Sequence, residues 1–218
     1  MQDRPKICPC EYHHREVRED GHCLCHLFVS ETYSPETAYQ PESGDGSLAE
    51  VKSIRHRWVS VYCTSWCFHS RMTKQLLGQH GVPFINIDIE QDEEAAKQVE
   101  AWNKGLRSVP TLVIRLILTE PSIAELERIL LSPELRFLEC DAYVTSWSPD
   151  SRRVRAWLER NEIPCTFIDI DEDEEAAKKV EEWNDGFRSV PTLDVRLRMT
   201  EPSSQGVRAV LGLENSAA

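Results

Sequence analysis

Hydrophobic residues along this chain fall into short runs whose spacing alternates between about two and about three and a half residues, the signature of strands interleaved with helices. Residues 58–62 have strand character, and residues 70–79 set Met72, Leu76 and Leu77 at helical spacing ahead of Gly81. Residues 84–89 read Phe, Ile, Asn, Ile, Asp, Ile, an alternation that predicts a half-buried strand. Residues 92–103 predict a helix, with Asp92, Glu93 and Glu94 in its first turn and Gly105 just past its end. Those carboxylates suit the positive end of a helix and are not read as an acid/base pair or a metal site. Residues 111–118 supply one or two further strands, and residues 122–131 a closing helix with Ile123, Leu126, Ile129 and Leu130 on one face.

The whole pattern then repeats. Trp66 and Trp147, Pro83 and Pro164, Trp102 and Trp183, Pro110 and Pro191, and Pro121 and Pro202 are each 81 positions apart, with no gap. Between 83–112 and 164–193, 21 of 30 positions are identical, D-E-E-A-A-K and R-S-V-P-T-L among them. The chain is a tandem duplication. A unit of 81 residues is too long for a solenoid repeat and suits a small α/β domain with its own core, which predicts domains at 57–135 and 138–215. Ahead of them lie a Cys/His-rich segment, 1–33, and a linker, 34–56, whose stretch 34–46 is rich in Pro, Glu, Ser and Gly.

Composition narrows the function classes. With 25 Lys plus Arg against 37 Asp plus Glu in 218 residues, the net charge of −12 disfavours nucleic acid and anionic membranes as partners. Arg115 interrupts the longest apolar stretch, 109–118, and Cys, His, Arg and Glu are scattered through the first thirty residues. Neither a membrane span nor a signal peptide is expected, and the chain is assigned to the cytoplasm. Eight cysteines in that setting point away from a disulfide framework and toward metal binding or redox chemistry.

A cysteine where the first strand of a βαβ unit gives way to its helix is the setting of the thioredoxin superfamily. V-Y-C-T-S-W-C-F-H-S, then W-N-K-G-L-R-S-V-P-T-L and L-T-E-P-S, resemble the glutaredoxin branch, most closely its mycoredoxin-like members. The resemblance covers both copies nearly end to end and implies an α/β architecture of two tandem thioredoxin-fold, glutaredoxin-like domains behind a small Cys-rich N-terminal segment. It implies that Cys67 is the nucleophile and that Pro110 is a cis-proline facing it. Trp66, Val109 and Pro110 would then bind substrate, the Val109 backbone pairing with a bound thiol's peptide edge. Physical chemistry supports Cys67 separately, because the unpaired N–H groups and macrodipole of a helix N-terminus favour thiolate over thiol, and thiolates exchange through mixed disulfides. The alternative is a buried, inert cysteine.

This sequence departs from the family pattern in three places. The position three residues after Cys67, where dithiol members carry a second cysteine, is Ser70, so the first copy is monothiol and turnover needs another thiol. Cys63 is a candidate resolving thiol, with a packed strand-end cysteine as the alternative. The second copy has Ser148 and Ser151 at both sulfur positions and is either a docking module that keeps the Pro191 groove or a relic; its Cys140 and Cys165 are read as core residues of strands. Finally, neither T-L-V-I-R-L-I-L-T-E-P nor T-L-D-V-R-L-R-M-T-E-P contains the turn that divides the family's last two strands, which leaves the sheet edge unaccounted for. Thr-Glu-Pro-Ser replaces the Gly-Gly and Asp element with which many glutaredoxins hold glutathione, so glutathione is not singled out as co-substrate.

I-C-P-C-E-Y-H-H-R-E-V-R-E-D-G-H-C-L-C-H-L-F-V-S, in residues 7–33, resembles the last part of the ferredoxin-thioredoxin reductase catalytic subunit. That resemblance implies Cys8, Cys10 and Cys23 as thiolate ligands of a 4Fe-4S cluster and Cys25 as a redox cysteine, with ferredoxin as electron donor. The family's first Cys-x-Cys pair has no counterpart in the sequence, which leaves three cluster ligands where a cubane takes four. Zinc on Cys8, Cys10, Cys23 and Cys25 is the alternative. The expected activity is thiol-disulfide exchange through Cys67 on disulfide-bearing proteins, with a low-molecular-weight thiol as co-substrate and Cys25 as a partner able to reach Cys67 across the linker. The competing reading is a non-enzymatic metal-binding or redox-docking protein.

Overall fold

A computed structural model of the chain describes residues 51–213; the Cys-rich segment and the linker up to residue 50, with the roles expected of Cys8, Cys10, Cys23 and Cys25, lie outside the described residues. The first copy runs β1 (Ile54–Cys63), α1 (Phe68–Gln79), β2 (Ile85–Asp88), α2 (Glu93–Trp102), β3 (Thr111–Thr119) and α3 (Ile123–Leu130). The second runs β4 (Leu135–Val144), α4 (Pro149–Arg160), β5 (Thr166–Asp169), α5 (Glu174–Trp183), β6 (Thr192–Thr200) and α6 (Ser204–Leu211). No described helix is long and apolar enough to cross a membrane.

Local chemistry sets these boundaries. Each of the predicted acidic turns begins a helix with a carboxylate cap: Asp92 Oδ1 accepts the Ala95 N–H at 3.0 Å, and Asp173 Oδ1 accepts the Ala176 N–H at 2.9 Å. Ser122 and Glu125 form a reciprocal capping box at the start of α3. The segment 111–119 is a single strand. Rich in Leu, Ile, Val and Thr and free of turn residues, it has no place to reverse.

That unbroken strand determines the architecture. Within each copy the first strand pairs parallel with the second and antiparallel with the third, and β3 then pairs antiparallel with β6. One six-stranded sheet results, in the order β2-β1-β3-β6-β4-β5. The open sheet edge left by the missing hairpin in each copy is filled by the equivalent strand of the other.

Strand alternation divides the sheet into two faces. On one, Val59, Val61 and Cys63 of β1 and Leu112, Ile114, Leu116 and Leu118 of β3 pack under α1 and α3, and they are continuous with Leu193, Val195, Leu197 and Met199 of β6 under α4 and α6. The expected separate core for each copy is thus replaced on this face by a shared one, because a strand paired with the other copy brings its apolar side chains into the same layer. Each such fully buried aliphatic contributes about 1.5–3 kcal/mol. The opposite face carries two small clusters, one under α2 around Ala96, Val99 and Ile89, the other under α5 around Ala177, Val180 and Ile170. Trp102 and Trp183 close these clusters edge-on against Tyr62 and Tyr143, at 5.4 Å between ring centroids in both copies.

One reading of the cysteines is corrected. Cys140 is buried as expected, but it is joined to the partly buried Cys165 in a disulfide with a Cα–Cα separation of 4.6 Å. Asp141 is the register partner of Thr166, so the two cysteines immediately ahead of them start β4–β5 pairing side by side. Composition alone points away from disulfides. It cannot show that two strands set these particular cysteines at bonding distance.

Candidate active site

Cys67 is the N-cap of α1. Its φ of −69° and ψ of 119° are extended, its Sγ accepts the Ser70 N–H at 3.4 Å, and its carbonyl accepts the Arg71 N–H at 3.2 Å. The thiol is partly exposed and donates to the Val109 carbonyl at 3.6 Å. Together with Tyr62, Ile87 and Trp102 it packs against the buried cluster of Ile89, Ala95, Ala96, Val99 and Val109. The bond between Val109 and Pro110 is cis, as the resemblance implies, and the equivalent bond between Val190 and Pro191 is cis as well.

Trp66 and Phe68, the chain neighbours of Cys67, are exposed apolar residues, as is Leu106 in the segment ahead of Val109. Trp66 is tied through its indole N–H, which donates to Glu90 Oε2 at 3.0 Å, next to Cys67 in the chain. The sequence-predicted Trp66, Cys67, Val109 and Pro110 therefore come together at one end of the sheet. The Ser70 N–H reaches the sulfur, and the partial exposure of Cys67 leaves it accessible to an incoming disulfide.

Cys63 has a different setting. It lies in the core layer beneath α1, on the face opposite the cluster that supports Cys67, and its thiol donates to Asn86 Oδ1 at 3.2 Å. Lys74 Nζ donates to Asn86 Oδ1 at 3.0 Å and to Cys63 Sγ at 3.7 Å. Burial pushes the Cys63 thiol up from its ordinary value, against the pull of the Lys74 ammonium. Sequence reasoning does not single out Lys74 and Asn86; their counterparts in the second copy are Arg155 and Phe167, a difference the 81-residue alignment does contain.

The second copy keeps the frame without the sulfur. Ser148 caps α4 with φ −67° and ψ 123°, and its Oγ accepts the Ser151 N–H at 3.2 Å, the same cap that Cys67 makes on α1. Trp147 is held by Asp171 at 2.8 Å as Trp66 is by Glu90, and Trp147 and Phe187 are the exposed counterparts of Trp66 and Leu106. A hydroxyl cannot carry out disulfide exchange. Midway along the sheet's other face, Arg115, Asp141, Tyr143, Lys179, Asp194 and Arg196 line an open cleft of about 420 Å³, in which burial and the nearby Asp141 and Asp194 push the Tyr143 hydroxyl up to about 12. Among the described residues no cluster of His, Cys, Asp and Glu is arranged to hold a metal ion.

Comparison with known proteins agrees with this geometry. The Glutaredoxin family model matches residues 59–116 and again 142–197, together just over half of the chain. Mycoredoxin 1 of Corynebacterium glutamicum is 43% identical over 54 residues, a match spanning 25% of this chain and 66% of that protein's length. The Mycobacterium tuberculosis protein named "Putative glutaredoxin Rv3198A" is 34% identical over 71 residues, 32% of this chain and 84% of its own. No solved structure matches the chain at a significant level. With both repeats matched, and each carrying a cis-proline just ahead of its third strand, the chain belongs to the glutaredoxin family.

Proposed function

We propose that the chain is a monothiol thiol-disulfide oxidoreductase whose nucleophile is Cys67. The observation that carries this reading is the position of Cys67, capping α1 with Ser70 N–H at 3.4 Å and open to solvent beside the cis-proline loop. The Cys67 thiolate attacks one sulfur of a mixed disulfide between a protein and a small thiol. A new S–S bond forms between Cys67 and the small thiol, the old one breaks, and the protein leaves as thiolate and takes up a proton. A second molecule of small thiol, as thiolate, then attacks the Cys67 disulfide, releasing Cys67 and a symmetric small-molecule disulfide. Across the two steps, one free small thiol and the mixed disulfide become the protein thiol and the symmetric small-molecule disulfide, the entering thiol's sulfur being oxidised and the protein's sulfur reduced.

Ser70 supports the monothiol route, since its side chain is fully buried, offers no sulfur, and its backbone N–H serves Cys67. Cys63 stands as the in-chain alternative to a second small thiol, and the cytoplasm as the compartment that supplies one. Replacing Cys67 by Ser tests the reading. Release of a peptide thiol from its mixed disulfide should stop, and persistence of wild-type rates would overturn it.

We further propose that the N-terminal segment binds a metal through Cys8, Cys10 and Cys23, with Cys25 as an exchange partner of Cys67; this rests on the sequence resemblance. Three thiolates fall short of a 4Fe-4S cubane, so no step of the reaction is routed through such a cluster or through ferredoxin. Iron and zinc content together with the visible absorption of anaerobically purified protein separates cluster, zinc and no metal.

A further inference from the structure

The loop that faces Cys67 is held from both copies. Within the first copy, Asn103 Nδ2 donates to Thr111 Oγ1 at 3.3 Å, and Thr111 Oγ1 donates to the Ser108 carbonyl at 2.8 Å. From the second copy, Thr200 Oγ1 donates to Asn103 Oδ1 at 2.8 Å and the Glu201 N–H donates to the Pro110 carbonyl at 2.8 Å. The β3–β6 register, which sets Thr200 opposite Thr111, delivers both groups to this point. Glu201 takes a φ of 48°, a conformation disfavoured for a residue with a Cβ, at the place where its N–H meets the prolyl oxygen.

The same contacts occur in reverse. Thr119 Oγ1 is hydrogen-bonded to Asn184 Oδ1, and the Glu120 N–H, at φ 49°, donates to the Pro191 carbonyl at 2.8 Å. These serve the cis-proline loop of the second copy, the repeat whose helix is capped by Ser148. Two chemically matched supports therefore exist, one beside a nucleophile and one beside a hydroxyl.

We propose that the second copy, which has no nucleophile of its own, acts in the reaction by holding the first copy's substrate loop, and that Thr200 and Glu201 are positioning residues for Cys67. The connection is short: Glu201 N–H to the Pro110 carbonyl, Pro110 to Val109, and the Val109 carbonyl to the Cys67 thiol at 3.6 Å. A loop that drifts from the sulfur loses the orientation of the bound disulfide, and misplacement of about 1 Å can cost about a hundredfold in rate. The proposal rests on Cys67 being the nucleophile.

The test uses the full chain, a peptide joined to cysteamine by a mixed disulfide, and single-turnover release of the peptide thiol. Three variants are compared with wild type by rate and melting temperature. The nearly isosteric Thr200→Val removes the hydroxyl donor beside the Cys67 loop, Thr200→Ser keeps it, and Thr119→Val removes the matched hydrogen bond beside the Ser148 loop. Thr200→Val should lower kcat/KM by about tenfold, Thr200→Ser should restore it, and Thr119→Val should lower the melting temperature as much as Thr200→Val while leaving the rate within about twofold of wild type. Equal rate losses in the two valine variants would show general loosening of the seam and overturn the proposal. So would an unchanged rate in Thr200→Val with an active wild type, which leaves the Cys67 reading standing. A wild type that releases no peptide overturns that reading and this one together.

Discussion

Arg115 lies directly opposite Arg196 at the middle of the β3–β6 pairing, and the two are equivalent residues of the repeat. The pseudo-twofold axis between the copies therefore passes through a pair of like charges, a juxtaposition that destabilises antiparallel strands unless each charge is matched. Asp194 matches one of them. It receives Arg115 Nε at 2.8 Å and a terminal guanidinium nitrogen at 2.7 Å, while Arg196 is 3.7 Å from Glu139. The Arg115 guanidinium also lies over the Trp58 ring at 5.0 Å.

Position 194 breaks the symmetry, since its first-copy counterpart is Val113. Asp194→Val, the change that restores symmetry in sequence, should cost about 1–2 kcal/mol because it leaves Arg115 facing Arg196 without its bidentate partner. Urea unfolding of the variant against wild type measures it, and an unchanged midpoint would mean that solvent alone screens the arginine pair.

A second asymmetry concerns the supports of the two C-terminal helices. In the first copy Glu125 of α3 accepts the Ser53 N–H at 3.1 Å; in the second the carboxylate has moved to Glu134, which accepts the Ser203 N–H at 3.1 Å, and Gly206 occupies the place of Glu125. A Cβ at Gly206 would run into the Glu134 carboxylate. Gly206→Glu alone should displace the Glu134 carboxylate from the Ser203 N–H, while Gly206→Glu combined with Glu134→Ser rebuilds the first copy's arrangement. A double-mutant cycle should give a favourable coupling of about 1–2 kcal/mol, and additivity would contradict the exchange of roles.

Acid stability should report on Glu125. Burial alone would raise its carboxyl, but hydrogen bonds from the Ser122 side chain and from the Ser122, Ser53 and Lys52 N–H groups outweigh it and hold the group below the ordinary carboxylate value. With the folded value depressed, the unfolded chain binds a proton first as pH falls. Glu125 thus contributes stability that is full above about pH 4.3, the ordinary glutamate value, and is lost as pH drops through the folded value. Glu125→Gln should flatten the acid limb of a plot of unfolding free energy against pH; an unchanged slope would remove Glu125 from that limb.

The Cys140–Cys165 bond closes a span of 25 residues and ties edge strand β5 to β4. Under mild oxidation peptide mapping should find this link, and its reduction should lower stability by about 2–4 kcal/mol. Recovery of both cysteines as free thiols from non-reduced protein would contradict it.

Much of this arrangement is legible in the sequence. The helix-cap position of Cys67 and the loss of sulfur at Ser148 follow from residues with a local cause, a cap and a missing thiol, and the cis-proline opposite Cys67 is implied by the family resemblance. The seam is not legible there, because T-L-V-I-R-L-I-L-T announces a strand apolar on both edges without naming its neighbour. The absence of a turn ahead of Thr-Glu-Pro is the one available signal, and it raises the question of the sheet edge without showing that Thr200 reaches Asn103. The disulfide is hidden for a similar reason: Cys140 and Cys165 stand at Val59 and Phe84 of the first copy, apolar positions whose register becomes visible only once the strands are paired.

The central claim is that Cys67 is the sulfur that forms the mixed disulfide. Intact mass followed by peptide mapping, after a single turnover with the cysteamine mixed disulfide of a peptide, tests it most directly. The account predicts one cysteamine adduct on the Cys67 peptide, absent from Cys67→Ser, with Cys63 unmodified. An adduct on Cys63, or peptide release by Cys67→Ser at the wild-type rate, would contradict it.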